Sequence, residues 1–183
     1  LSYDYIINSN EKVAEKGHKT EEAINTIDEK LTRYLITLSS EALSQKESEV
    51  LTNILDSSRD LERIGDHAEA LININDYLQR KNVQFSNSAL EELEDIYRQT
   101  SEFVKDALES VENNDLEMAE SLIERHEAIN KMERVLRKTH IKRLNNGECS
   151  TQAGVNFIDI ISHYTRVSDH AMNLAEKVLA EQI

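Results

Sequence analysis

Proline is absent from the chain and glycine occurs only four times, so almost nothing in its 183 residues interrupts a long regular backbone. With aromatics at 5% and Leu, Ile, Glu, Lys and Asn abundant, the missing breakers predict an all-α fold. Cysteine appears once, at Cys149, which excludes an internal disulfide and fits a reducing compartment. No apolar run approaches the roughly 20 residues of a membrane-spanning helix, and no signal peptide is visible. Basic residues are also scarce: 21 Lys and Arg against 35 Asp and Glu leave a net charge of -14. Nucleic acid and anionic membrane surfaces are thereby disfavoured as partners, whereas cations are suited. A glycine-rich phosphate loop is missing, so any phosphate-related role is expected to run through a bound metal or a partner. Cys149 follows a glycine turn with no histidine close by in sequence, so no nucleophile and base are expected and no enzyme is predicted. The chain opens on Leu1 rather than methionine, as a piece of a larger protein would.

What is present is helical periodicity. Ile24, Ile27, Leu31, Leu35 and Leu38 predict a helix over about 10–40. Ser44 with Glu47 reads as a capping box opening a second helix to about Lys81. After VQFSNS, Ser88 with Glu91 predicts a third start, on a helix carrying Leu90, Leu93, Val104, Leu108 and Val111 as far as Asn113. Asn114 with Glu117 predicts a fourth start, and Gly147 a left-handed closure. A last helix is expected from Ser150 almost to Ile183. Helices of this length reach on the order of 45 Å, which suits an elongated bundle.

The chain also repeats itself. EAINTIDEKL at 22–31 matches EAINKMERVL at 127–136 at five of ten positions, with an offset of 105 residues. RIGDHAEAL at 63–71 matches RVSDHAMNL at 166–174 at five of nine, with an offset of 103. Two boxes in the same order at nearly the same separation mark a duplicated unit, with boundaries expected at 1–82 and 83–183. Three helices are expected in the second unit, with the EAIN box on the middle one. Carrying the offset back from Asp115 reaches Asn10, leaving only Leu1 to Ser9 for the first helix of the first unit. Most of that helix is therefore expected to be missing, with Tyr3, Tyr5, Ile6 and Ile7 as its last turn or two. The apolar stripe of Ile24, Ile27 and Leu31 would then be open to a second copy, to repacking, or to residues upstream.

Beside the apolar stripes run polar ones. Glu62, Asp66, Glu69 and Asn73 share a stripe next to Leu61, Ile64, Ala68, Leu71 and Ile72. Glu21, Asn25, Asp28 and Thr32 form the matching edge of the preceding helix. Antiparallel packing would bring these edges face to face, with the small Gly65 permitting close approach. Glu62 and Asp66 repel unless Arg63 or a metal cation stands between them. The plainer reading is that such acid pairs are solvated faces and that Arg63 and Arg166 bridge to local carboxylates. His67 and His170 would then cap a packed edge, while His126, His140 and His163 have no mutual spacing that recommends a metal site.

DLERIGDHAEAL resembles the hallmark segment of PhoU-type proteins, bacterial regulators of phosphate uptake built from two three-helix bundles. EAINKMERVLRKTHIKRLNNGEC, EAINTIDEKLTRYLITLS and RVSDHAMNLAE are similar to the cytosolic PhoU-like domain that follows the membrane part of bacterial sodium/phosphate cotransporters, and the resemblance runs from Glu11 to Lys177. It implies tandem antiparallel bundles and a non-catalytic regulatory role on the cytoplasmic side of the inner membrane. The implied partner is the transporter part of the same polypeptide, in sodium/phosphate symport, with a second copy of the chain as a further one. A free-standing regulator docking on a separate transporter or sensor kinase is the alternative, and a purely structural scaffold the third. PhoU-type proteins carry paired acidic ExxxD motifs that can hold iron or other metals. Glu62 and Asp66 match the second-helix member, and Glu21 matches half of the first, where Asn25 replaces the acid and Asp28 lies on the same edge. In the second unit Thr165 replaces the acid before Asp169, and His126 and Asn130 take the first-helix positions. The resemblance thus implies a hard divalent or trivalent cation such as iron, zinc or magnesium at Glu21, Asn25, Asp28, Glu62 and Asp66, with Asp169 as a weaker counterpart.

Overall fold

The computed structural model describes residues 11–40 and 42–180, which form five helices and, among the described residues, no strand. They are α1 (Glu11–Ser39), α2 (Gln45–Lys81), α3 (Asn87–Asn113), α4 (Leu116–Asn145) and α5 (Thr151–Leu179). Tyr3, Tyr5, Ile6 and Ile7 lie outside the described residues.

The helix ends follow from local chemistry. Ser44 and Glu47 form the expected capping box, and Ser150 caps α5. Asn82 and Asn114 take the left-handed conformation at the ends of α2 and α3, and Gly147 (φ 71°) does so after α4. Two expected caps are displaced by two residues and by one. Ser86, not Ser88, caps α3, because the Ser88 hydroxyl instead accepts from Arg143 at 3.2 Å. Asp115, not Asn114, caps α4, because the left-handed Asn114 is already closing α3.

α5 is the hub of the architecture: it packs against α2, α3 and α4, while α3 also meets α4 and α1 lies along α2. Its buried residues fall on more than one face, which is what a helix surrounded by three others requires. The repeat relates α1 to α4 and α2 to α5, so equivalent faces can be compared. Phe157 and Tyr164 are 0% and 3% exposed under α3, in a cluster with Leu93 and Ile96. Their counterparts on α2, Ile54 and Leu61, are 40% and 41% exposed. No helix among the described residues covers that face.

On α1, Ile27 is 63% exposed, whereas Ile24 and Leu31 are half-buried, so the stripe is open only in part. Gly65 is the reason for Ile24. A Cβ built on this buried glycine would stand 3.3 Å from Ile24 Cδ1 and 3.7 Å from its Cγ2, so the isoleucine has packed into the space the glycine leaves. Gly65→Leu is therefore expected to destabilise the protein by about 1 to 3 kcal/mol despite its better helix propensity. Urea denaturation measures this, and an unchanged or raised midpoint would contradict the close crossing. The second repeat keeps a small residue here, Ser168, whose hydroxyl turns back to donate to the Thr165 carbonyl at 2.7 Å.

Candidate functional site

The register of α1 on α2 is marked by a hydrogen bond from the Ser58 hydroxyl to Asp28 Oδ1 at 2.6 Å, which turns Asp28 toward α2. One and two turns further along α2 stand Glu62 and Asp66. Burial is the main cause that pushes the Glu62 carboxyl above its usual range, followed by the negative charge of Asp66; Arg63 opposes the rise and Asp28 adds to it. The fold thus brings two of the other expected residues, Asp28 and Asp66, into electrostatic reach of Glu62. Arg63 is already the cation among them, 3.1 Å from Asp66 Oδ2 and 3.6 Å from Glu62 Oε2. Glu21 and Asn25 stand further along α1, where the Asn25 amide donates to the Glu21 carboxylate.

Asp169 has different company. On α5 it faces His126 of α4, with Nε2 2.9 Å from Oδ1, and Arg166 at 3.5 Å. The Asn130 amide lies 3.2 Å from the same histidine nitrogen. The donor set of the first repeat is carboxylate oxygen, which fits a hard cation in kind; that of the second is a histidine and carboxylate pair that satisfies itself. Among the described residues no three His, Cys, Asp or Glu side chains converge as a ready-made metal cage.

The histidines hold the arrangement that sequence reasoning missed. His67, His163 and His170 meet where α2 crosses α5. The Nδ1 atoms of His67 and His163 are 3.0 Å apart, and the rings of His67 and His170 stack with centroids 5.7 Å apart. His170 Nδ1 lies 3.0 Å from Asp60 Oδ1, and Asp60 also accepts from Asn173 at 2.8 Å and Lys177 at 3.2 Å. Burial, then the neighbouring His163 and His170, holds His67 down to about 4, and burial likewise lowers His163. The 103-residue offset carried a signal, since it pairs Asp60 with His163 as well as His67 with His170. His163 lies outside the matching box, so spacing among the histidines alone did not reveal it.

Cys149 does have a histidine beside it, because the turn at Gly147 folds the chain back over the end of α4. His140 Nε2 is 3.8 Å from Cys149 Sγ, and the ring stacks on Phe157 at 4.0 Å. Arg143 can only donate, and its Nη2 is 3.2 Å from His140 Nδ1. In the neutral ring the proton is therefore on Nε2, facing the sulfur. That histidine is a hydrogen-bond donor to the thiol, not a base able to activate it.

A duplicated helical bundle, its repeats packed through α2 and α5 and one repeat edged with carboxylates, is the class of protein that these observations define. The PhoU domain family matches residues 1–74 and 93–178, and the chain belongs to that family. It is 30% identical over 178 residues to the phosphate-specific transport system accessory protein PhoU homolog 1 of Thermotoga maritima, spanning 97% of this chain and 68% of that protein. The crystal structure of PhoU from Pseudomonas aeruginosa shares the fold with a TM-score of 0.87 at 19% identity, over 100% of this chain and 88% of that one. The phosphate transport system regulatory protein PhoU from Streptococcus pneumoniae does so with a TM-score of 0.82 at 21% identity, over 97% and 83%. No helix among the described residues is long and apolar enough to cross a membrane.

Proposed function

We propose that the chain is a regulatory domain of phosphate transport that works by docking helix faces rather than by catalysis, and that it serves as the cytosolic domain of a sodium/phosphate cotransporter. The observation that carries the docking reading is the open apolar face of Val50, Ile54 and Leu61 on α2 with Ile27 on α1. The equivalent face of the second repeat is buried under α3, so this surface has the shape and polarity of a helix-binding slot. A second reading, a free-standing accessory protein acting on a separate transporter, is favoured by the Thermotoga maritima relative, whose likeness spans nearly the whole chain.

On the acidic edge, Glu62, Asp66 and Asp28, with Glu21 and Asn25 further along α1, would hold a hard cation such as iron, zinc or magnesium. Such an ion would add to the positive charge that Arg63 brings to Glu62 and Asp66. Asp169, already engaged by His126 and Arg166, contributes less.

Cysteine placed at Leu61 in a Cys149→Ser background tests the docking. Crosslinking in phosphate-replete cells within a polypeptide much larger than 21.0 kDa supports the cotransporter reading, and crosslinking to a separate transport protein supports the second. Failure to engage any transport component would sink both. For the edge, changing Glu62 and Asp66 together to alanine should abolish metal co-purification, whereas Asp169→Ala should change it little; equal loss from the two would contradict this ranking.

A further inference from the structure

We propose that His67 and His163 form a two-nitrogen site for a divalent transition cation of the nickel or copper(II) class, clamping α2 to α5 and so joining the two repeats. The case rests on how the duplication treats one contact twice. His170 on α5 meets Asp60 on α2, with Nδ1 3.0 Å from a carboxylate oxygen that accepts its proton. Shifted by the 103-residue offset, the same contact is His67 on α2 meeting His163 on α5, and there the nitrogen faces another nitrogen, also at 3.0 Å. The carboxylate that completes the first contact is replaced by a second imidazole in the other.

Two facing Nδ1 atoms can share at most one proton, and only if the rings take opposite tautomers. A cation that binds both lone pairs satisfies both rings at once. Metal–nitrogen bonds of about 2.0 to 2.1 Å to atoms at this separation close an angle of about 94°. That is near the right angle of square-planar or octahedral ions and well short of the tetrahedral angle of zinc, which selects nickel or copper(II). Imidazole nitrogen also separates this site in kind from the oxygen-rich edge between α1 and α2. Asp66 and Asp159 lie close enough to act on His67 and His163, lending negative charge that Arg166 partly opposes. His170 stacks on His67 but turns its Nδ1 to Asp60, and no third ligand converges on the pair among the described residues, so water completes the coordination.

Nickel chloride titrated into metal-stripped protein, followed by calorimetry and by the imidazole nitrogen resonances, tests the site. Wild type should take up nickel saturably, shift the Nδ1 resonances of His67 and His163, and melt at a higher temperature with nickel than without. His67→Gln should lose all three responses. His163→Asp rebuilds the Asp60 type of contact, so it should melt at or above the metal-free wild type while taking up nickel more weakly, because a carboxylate engaged by His67 replaces one of the two free imidazole lone pairs. Glu62→Gln, which removes an oxygen donor from the acidic edge, should leave the nickel-induced shift of the His67 and His163 Nδ1 resonances as in wild type, whatever it does to total uptake. Absence of saturable uptake in wild type, undiminished uptake in His163→Asp or His67→Gln, or loss confined to Glu62→Gln would overturn the proposal.

Discussion

Phe157→Ala is expected to cost about 3 to 5 kcal/mol, whereas Ile54→Ala, at the equivalent position of the first repeat, is expected to cost less than about 1 kcal/mol. Phe157 is fully buried, stacked on His140 and edge-on to Phe85 at 6.2 Å, so loss of the ring removes buried apolar volume from a close-packed cluster. Ile54 leaves much of its surface in water, so truncation forfeits little burial and creates no cavity. Urea denaturation of the two variants at low protein concentration measures the contrast. Comparable losses would show that the α2 face is covered in solution, and a midpoint for wild type that rises with protein concentration would identify a second copy as the cover.

Acid is expected to destabilise the fold well before the carboxylates are fully protonated. Burial first, and then the Arg143 guanidinium, holds His140 down to about 4 against an ordinary value of 6.5. The sign follows from linkage. A base whose folded value is depressed is charged first in the unfolded chain, so its stabilising effect is full above pH 6.5 and is lost as pH falls toward 4. One proton taken up only on unfolding gives a slope of about 1.4 kcal/mol per pH unit inside that window. His67, also held to about 4, adds to the loss in the same direction. His140→Leu installs the residue type that the first repeat carries at Leu35, and should remove roughly one proton from the slope between pH 7 and pH 5. Stability curves measured at pH 7, 6 and 5 decide it: an unaltered slope in His140→Leu would mean that the ring titrates freely in the folded protein.

Helix class, helix number and most termini were legible in the residues themselves because those features are local. A chain without proline, with apolar residues three and four apart and Ser44, Ser150 and Gly147 at the ends, has few alternatives to long helices. The duplication and the family resemblance were legible for a related reason, since both are carried by short contiguous boxes. Where two local signals competed, the residues did not decide. Ser86 and Ser88 are both good caps, and it was Arg143, more than fifty residues away, that engaged Ser88.

The acidic edge was half legible. Periodicity placed Glu62 and Asp66 on one stripe and Asp28 on another, but their proximity depends on Ser58 holding the register of two helices and on Ile24 sinking into the space at Gly65.

By itself the sequence determined an all-helical, duplicated, strongly acidic chain, because composition, period and caps act within a few turns of a helix, and its short contiguous boxes carried the resemblance to PhoU-type proteins. Only the tertiary structure decided that α5 lies at the centre, that Ile27 stays open while Ile24 does not, that His140 reaches Cys149, and that His67 meets His163 across the repeats. The physical reason is that side chains on different helices are brought together by crossing angle and register. Those are set by the fit of whole apolar faces, a quantity spread over many residues and written in no single stretch of them.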